Sequence, residues 1–364
     1  MAFGMSTGII FASIALYKIR TFQVSDLDNE YSGQNYIAFR IITIVSAAVF
    51  CLMYLTLATN DSTYLSASLL YLLFKADECF SDVLYGIEQR NERMDYIGKS
   101  QIIRGIVSLG GFSIPLALTG NLHMALVCMT VCCMLVTLLY DLGHAHLFGP
   151  VRPHIALPKA YSLARACFLA MVASLLANSI VSVVRQYFGI AHGDEALGIY
   201  ASVATPAVLV QVAANYLYSP MVGELSRSWK HDHAATFRKK FLKVLSLILL
   251  VVGTLIAVLS PFGGALLEIV YGESIAPHTY LFPFVLIATG AIGVLFYVND
   301  VLVILRRTRT MLTCNAFALV VSIASAYALI PLIGMNGINF AIMLAATLGS
   351  LAGSFVILRS SNHH

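Results

Sequence analysis

Long apolar runs, broken by short polar clusters, cover most of the 364-residue chain. A helix needs about 20 mainly apolar residues to cross the hydrocarbon core of a bilayer. Runs of that kind occur eleven times. Apolar and polar residues do not alternate along the chain as they would in a membrane β-barrel. The pattern predicts eleven transmembrane helices, near residues 2–17, 37–59, 62–87, 101–120, 122–141, 163–190, 197–221, 241–268, 277–305, 309–332 and 336–358.

The composition supports a membrane location. Hydrophobic residues make up 59% of the chain and charged residues 11%, whereas soluble domains contain about 45–50% and about 25%. So few charges cannot cover the surface of a soluble protein of this size, which excludes a soluble enzyme, a disordered chain and a nucleic-acid-binding protein. The sequence predicts an all-α polytopic membrane protein.

The basic residues predict which way the chain crosses the membrane. Nineteen of the 22 Lys and Arg residues fall in one set of alternate connections, and the opposite set holds Arg185 alone. Because Lys and Arg stay on the cytoplasmic side, we expect a cytoplasmic C-terminus. The first run, 2–17, lacks a preceding basic segment, so we interpret it as a transmembrane helix rather than a signal peptide.

The chain is predicted to consist of two helical halves. Pro150, Pro153 and Pro158 mark a connection that we interpret as a linker between them. The halves align as a repeat if the first lacks its opening helix, since 2–17, 37–59 and 62–87 then correspond to 197–221, 241–268 and 277–305. This predicts an N-terminal lobe of five helices (1–145), a cytoplasmic linker (146–162) and a C-terminal lobe of six helices (163–364).

Helix 62–87 carries an unusual concentration of charge. At about 100° per residue, Lys75, Glu78, Asp82, Tyr85 and Gln89 share a stripe about 80° wide. Charged groups inside a bilayer are costly, so such a stripe is expected to line a wet cavity. The alternative is a structural Lys75–Glu78 pair with hydrogen bonds between helices.

Polar rows on three other helices extend the candidate cavity, and Asp300 lies on helix 277–305. Amide and hydroxyl rows suit a sugar, while Arg40, Lys75 and Arg185 suit phosphate or carboxylate. We predict coupling to H⁺ or Na⁺ through Glu78, Asp82 and Asp300, because a low-dielectric cavity favours the neutral acid. The candidate substrate-cavity residues are Arg40, Lys75, Glu78, Asp82, Tyr85, Asn178, Arg185, Gln211 and Asn215.

Enzyme motifs are absent from the sequence. It contains no GxxxxGK[ST] loop, no HExxH or GxSxG motif, and no Cys/His set with the spacing of metal ligands. We therefore predict no catalytic residues, no metal and no cofactor other than an ion gradient. The protein is not expected to be an enzyme.

One segment carries a family resemblance. Tyr85-Gly86 with Gln89, followed by Arg93-Met94-Asp95, Ile97-Gly98 and Ser100, resembles polysaccharide-transport flippases of the MOP exporter superfamily. These are the O-antigen and capsule-type flippases of lipid-linked oligosaccharides. Segments 22–26 and 193–201 are similar to the family more weakly.

The resemblance implies a fold and a function. The fold would be two pseudo-symmetric helical lobes of the MATE type, opening alternately around a cationic cavity. The substrate would be an undecaprenyl-diphosphate-linked oligosaccharide, moved across the bacterial inner membrane for O-antigen or capsule synthesis. Expected partners are this polyprenyl-diphosphate-linked glycan, membrane lipid, a polysaccharide polymerase and a chain-length regulator, and no nucleic acid. This sequence departs from the family in lacking the first helix of the first lobe.

Two alternative functions remain. A cation-coupled multidrug exporter of the same superfamily would lower drug accumulation in cells and would not depend on glycan genes. A non-transporting scaffold of a polysaccharide-assembly complex would tolerate loss of the charges on helix 62–87.

Overall fold

The computed structural model describes residues 2–58 and 62–360, and within these two segments the regular structure is entirely helical. Nine helices of the described segments are long and apolar enough to cross a membrane, so the chain is a multi-pass membrane protein. The other two predicted spans do not meet that criterion, since Ala2–Leu16 has 15 residues and Ser62–Arg90 carries six charged side chains. The all-α prediction is confirmed, and eleven crossings stays a prediction.

The chain divides into two compact units, Met1–Met171 and Val172–His364. The division falls inside one long helix, so no loop separates the units. A π-helical turn, Thr137–Asp141, lies between the sixth and seventh helices of the first unit. The helices of this unit are α1 (Ala2–Leu16), α2 (Ile19–Val24), α3 (Gly33–Ala58), α4 (Ser62–Arg90), α5 (Met94–Thr119), α6 (Leu122–Val136), α7 (Leu142–His146) and the beginning of α8 (Leu157–His192).

The second unit contains the rest of α8 and six further helices. A 3₁₀ segment, Glu273–Leu281, leads into the helix at its centre. The six are α9 (Asp194–Tyr218), α10 (Met221–His231), α11 (Ala234–Tyr271), α12 (Phe282–Ile304), α13 (Thr308–Ile333) and α14 (Met335–Ser360).

A helix is found at each of the eleven predicted spans, but several helices are longer than predicted. Helix α5 begins at Met94 rather than near 101, and α11 begins at Ala234 rather than near 241. The cause is that polar residues continue these helices beyond the apolar segment on which the prediction rests. Three short helices, α2, α7 and α10, were not predicted, because each lies in a connection outside the predicted membrane spans.

Each unit has a central helix with matching neighbours. In the first unit α4 packs against α1, α2 and α3, and in the second α12 packs against α9, α10 and α11. These are the pairs that the predicted repeat brings into correspondence. The two units are therefore pseudo-symmetric in their helix packing.

The central helix of the first unit ends in a Schellman turn. Glu92 adopts a left-handed conformation with φ 62°, and the Arg93 N–H donates to the Glu88 carbonyl oxygen at 3.0 Å. This pattern satisfies backbone carbonyls that a helix end would otherwise leave without partners. Helix α5 starts directly after it.

Helix α12 ends in the same turn. Arg306 is left-handed with φ 56°, and the Arg307 N–H donates to the Leu302 carbonyl oxygen at 2.9 Å. Matching the two turns residue by residue places Leu302 at the position that Glu88 occupies in α4. The correspondence between the units therefore extends to individual residues.

Candidate functional site

The predicted polar stripe of α4 divides into an exposed part and an interior part. The Lys75 ammonium lies 2.6 Å from a Glu78 carboxylate oxygen, and their side chains are 22% and 52% exposed. The ammonium also lies 5.6 Å from the centre of the Phe74 ring. The contact expected under the structural alternative is thus present, while both side chains remain accessible.

Arg40 lies in the interior of the first unit, with no exposed surface. Its guanidinium donates to an Asp82 carboxylate oxygen at 2.8 Å and to the Ala15 carbonyl oxygen at 2.6 Å. Thr43 donates to the same carbonyl oxygen at 2.7 Å. Since Ala15 lies in the last turn of α1, these donors satisfy a buried helix end. Arg40 and Asp82 thereby join α1, α3 and α4.

Arg20 of α2 completes this group of charges. It lies 3.3 Å from the second Asp82 oxygen and donates to the Gln89 amide oxygen at 2.9 Å. Its guanidinium also lies 5.7 Å from the centre of the Tyr85 ring. Asp82, Tyr85 and Gln89 therefore face α2 together, as the predicted stripe requires.

A second charged group lies on the opposite side of α4, around Arg104 of α5. The Arg104 guanidinium donates to Asp77 at 2.7 Å, to the Ser81 hydroxyl at 2.5 Å and to the Thr137 hydroxyl. Thr137 in turn donates to the other Asp77 oxygen at 2.7 Å. This group joins α4, α5 and the π-helical turn. The predicted span 101–120 contains Arg104, and the structure places it within α5 with 11% of its side chain exposed.

The π-helical turn also supplies Asp141, whose side chain is fully buried. The Ser100 hydroxyl donates to Asp141 at 2.5 Å, and the Tyr85 hydroxyl lies 2.7 Å from Ser100. Arg104 approaches the other Asp141 oxygen at 3.6 Å. Tyr85 is therefore held inside the unit rather than on an exposed surface.

The family-like motif of the sequence has a structural explanation. A Cβ atom at Gly86 would overlap the Gln23 amide group, so Gly86 makes room for the Gln23 side chain between α2 and α4. Arg93 and Asp95 form two contacts of 2.8 Å beside the Schellman turn. The motif thus holds together α2, α4, α5 and the turn between the last two.

A polar groove of about 430 Å³ lies next to this motif in the first unit. Arg90 borders it and donates to the Asp26 carbonyl oxygen and, at 2.7 Å, to the Asn29 side chain. The groove is formed by the connection after α2, the end of α4 and residues 145–150. Sequence analysis did not predict it, because the three segments are distant in sequence.

The candidate residues of the second unit lie on three helices, α8, α9 and α12. The Arg185 guanidinium lies 5.4 Å from the centre of the Tyr200 ring, and Tyr200 donates to Asn339 at 2.7 Å. Asn215 is exposed, whereas Asn178 and Gln211 are half-buried. The predicted amide rows on α8 and α9 are thus at least partly accessible.

Asp300 of α12 is 6% exposed and accepts a hydrogen bond from the Tyr218 hydroxyl at 2.8 Å. The Tyr218 ring packs against Tyr297, which packs against Phe241 at 5.5 Å between ring centres. Tyr297 also donates to the Phe241 carbonyl oxygen at 3.0 Å. The Asp300 carboxylate therefore adjoins an aromatic cluster that joins α9, α11 and α12.

Sequence analysis missed the role of Arg104, although one signal pointed to a partner of this kind. Asp77 lies off the polar stripe of α4, so a buried Asp77 requires its own cation on another helix. Metal ligands were not predicted. Within residues 2–58 and 62–360, no group of three His, Cys, Asp or Glu side chains is placed to hold a metal ion.

The fold is that of MATE-type transporters of the MOP superfamily. VcmN of Vibrio cholerae in its bent form gives a TM-score of 0.76 at 15% identity, covering 100% of this chain and 88% of VcmN. An outward-facing multidrug resistance MATE transporter gives 0.77 at 11% identity, covering 99% and 86%. A MOP superfamily transporter from Pyrococcus furiosus gives 0.78 at 12% identity, covering 99% and 86%. The predicted fold class is confirmed.

Sequence comparison points to a narrower relationship. No protein-family model matches the chain. The chain is 25% identical over 313 residues to the capsular polysaccharide biosynthesis protein CapF of Staphylococcus aureus, which covers 81% of this chain and 72% of CapF. The structural neighbours named above are transporters.

Proposed function

We propose that this protein exports lipid-linked oligosaccharide repeat units across the bacterial inner membrane, for O-antigen or capsular polysaccharide synthesis. The observation that carries the proposal is the similarity to a capsular polysaccharide biosynthesis protein over 81% of the chain. The transporter fold also supports an export function. The C-terminus is cytoplasmic in this proposal, and a polysaccharide polymerase and a chain-length regulator are partners.

The substrate chemistry fits the accessible charges. A polyprenyl diphosphate carries negative charge next to its sugars, and Lys75 is a partly exposed cation on the central helix of the first unit. Arg185 and the amides of α8 and α9 are the corresponding groups of the second unit. In this proposal Lys75 and Arg185 contact the anionic part of the substrate, while Asn178, Gln211 and Asn215 contact sugar hydroxyls.

Ion coupling is assigned to carboxylates. Glu78 is exposed beside Lys75, Asp82 is partly buried and Asp300 is buried, and both aspartates accept hydrogen bonds. An H⁺ or Na⁺ gradient acting on these groups supplies the energy for export, and no covalent bond of the substrate changes.

The first experiment replaces Lys75 with Gln in cells that depend on this gene for surface polysaccharide. We expect export to fall to the level of the deletion strain and lipid-linked repeat units to accumulate, because the substrate loses its cation. Membrane protein levels should stay unchanged, since an ion pair between partly exposed side chains contributes only about 0–1 kcal/mol to stability. The readouts are surface polysaccharide, extracted lipid-linked glycan and an immunoblot.

The matched control is Lys159→Gln, which removes an exposed lysine near the start of α8 and should leave export normal. Export that survives Lys75→Gln would favour the scaffold, because a scaffold needs no cation there. A multidrug exporter is the second candidate, favoured by the multidrug resistance transporter among the structural neighbours. It predicts raised drug accumulation in the deletion strain with normal surface polysaccharide.

A further inference from the structure

Glu88, near the end of α4, is buried without a cation or hydrogen-bond donor among the described residues that would stabilise a negative charge. Its side chain has no exposed surface, and both carboxylate oxygens lack a hydrogen-bond partner within the described part of the chain. The buried Asp77 and Asp141 and the partly buried Asp82 differ, because each accepts a hydrogen bond from a guanidinium or a hydroxyl. An ionised carboxylate without such partners is costly in a protein interior.

The charges of this region balance only if one carboxyl group is neutral. The interior groups around α4 contain three guanidinium groups, those of Arg20, Arg40 and Arg104, and all three are engaged with Asp77, Asp82 or Asp141. Glu88 is a fourth carboxyl group in the same region. If it were ionised, the interior would carry one negative charge more than its cations neutralise.

The surroundings of Glu88 do not supply the missing cation. Arg93 is committed to Asp95 through two contacts of 2.8 Å, and Arg20 is committed to Asp82 and Gln89. Asp141 adds a like charge, which opposes ionisation further. The titratable and charged groups around Glu88 are Arg20 of α2, Tyr85 of α4, Arg93 of the turn, Asp95 of α5, and Tyr140 and Asp141 of the π-helical turn.

The second unit shows what this position normally accommodates. The matching residue of the α12 turn is Leu302, which is also fully buried. In a Schellman turn this position commonly makes an apolar contact. Glu88 therefore occupies a site whose counterpart is filled by a hydrocarbon side chain, and a neutral carboxyl group is the form that fits there.

We infer that Glu88 is a proton-binding site, occupied in the conformation described here and emptied when this end of α4 opens to water. Opening would expose the Glu88 carboxylate next to Arg20. Glu88 would then compete with Asp82 for the Arg20 guanidinium. Proton release would thus be linked to separation of α2 from α4. The inference goes beyond the proposed function and does not depend on which substrate is carried, because a folded protein without substrate should hold the proton.

The experiment measures the carboxyl proton directly by infrared spectroscopy of the purified full-length protein at neutral pH. The C=O stretch of a protonated carboxyl group should be present in the wild type, and its intensity should fall by one group in Glu88→Gln. Glu92→Gln, which removes an exposed carboxylate from the same turn, is the matched control and should leave the band unchanged. Glu88→Leu copies the residue of the second unit and serves if Glu88→Gln folds poorly.

The pH dependence of thermal unfolding gives an independent measurement. A carboxyl group that holds its proton when folded and loses it when unfolded makes stability fall as pH rises above the value at which an exposed glutamate ionises. We expect this decline in the wild type and in Glu92→Gln, and its loss in Glu88→Gln and Glu88→Leu. A wild-type protein without the infrared band, or a band and pH slope that survive both Glu88 variants, would overturn the inference and leave the proposed function untouched.

Discussion

Helices α4 and α12 occupy matching positions in the two units, yet their surroundings differ in chemistry. Ion pairs and charged hydrogen bonds fasten α4 to its neighbours through Arg20, Arg40 and Arg104. Sixteen of the 23 residues of α12 are buried, and most of them are apolar. The same helix packing is therefore stabilised by charge in one unit and by apolar contact in the other.

The difference bears on how each unit can move. Ion pairs can exchange partners when water or a proton enters, so we expect the neighbours of α4 to have alternative arrangements. Tightly packed apolar surfaces have no such alternatives, because any displacement leaves a cavity. We therefore expect proton-dependent rearrangement in the first unit, and a second unit that moves as a body.

Removing the Arg40 guanidinium should be the most damaging change. Arg40→Met leaves the Asp82 carboxylate and the Ala15 carbonyl short of a buried donor, and we expect a loss of about 3 kcal/mol, since breaking a buried pair is strongly destabilising. Thermal unfolding of the purified protein measures it. The double variant Arg40→Met/Asp82→Leu should recover part of the loss, because both members of the buried pair are removed and Arg20, the other cation at Asp82, is partly exposed and still donates to Gln89. A double variant less stable than Arg40→Met would contradict the importance of the ion pair.

Placing a larger side chain in the close contact between α12 and α9 tests how tightly the second unit is packed. A Cβ atom at Gly293 would lie 2.9 Å from the Ala214 Cβ, so Gly293→Val should force the helices apart at a cost of about 2 kcal/mol. A Cβ atom at Gly253 of α11 would have no neighbour within 4 Å, and Gly253→Val is the matched control. Equal stability of the two variants would show that α12 is less tightly packed than the structure indicates.

The smallest effect is expected from the hydroxyl of Tyr218. Tyr218→Phe removes a hydrogen bond to Asp300 but keeps the aromatic contact with Tyr297, so about 1.5 kcal/mol should be lost. The loss should depend on Asp300, and a double-mutant cycle with Asp300→Asn measures that coupling. If Tyr218→Phe cost as much as Arg40→Met, charge would matter equally in both units and the contrast between α4 and α12 would fail.

Much of the fold could be predicted from the sequence, because each membrane helix corresponds to one continuous run of apolar residues. The stripe on α4 could be predicted for the same reason, since helical periodicity alone places Asp82, Tyr85 and Gln89 on one face. Helices α2 and α10 could not be predicted. Each is short and polar, and its stability comes from packing against the central helix rather than from its own sequence.

The partners of the buried charges could not be predicted, because ion pairs join residues far apart in the chain. Arg40 and Asp82 are separated by 42 positions, and Arg20 and Asp82 by 62. The bias of basic residues toward cytoplasmic connections placed Arg20 outside the membrane spans, which concealed its role. Glu88 was overlooked for a related reason, since it lies just beyond the predicted span 62–87.

The π-helical turn at Thr137–Asp141 makes chain length more critical than composition at this point. A π turn contains one residue more than the α-helical turn it replaces, so deleting one residue here would rotate everything that follows by about 100°. Thr137 and Asp141 would then no longer face Arg104 and Ser100 at the same time. Substitutions within the turn should be tolerated where side chains face outward, whereas insertions and deletions should break the contacts of the turn with α4 and α5.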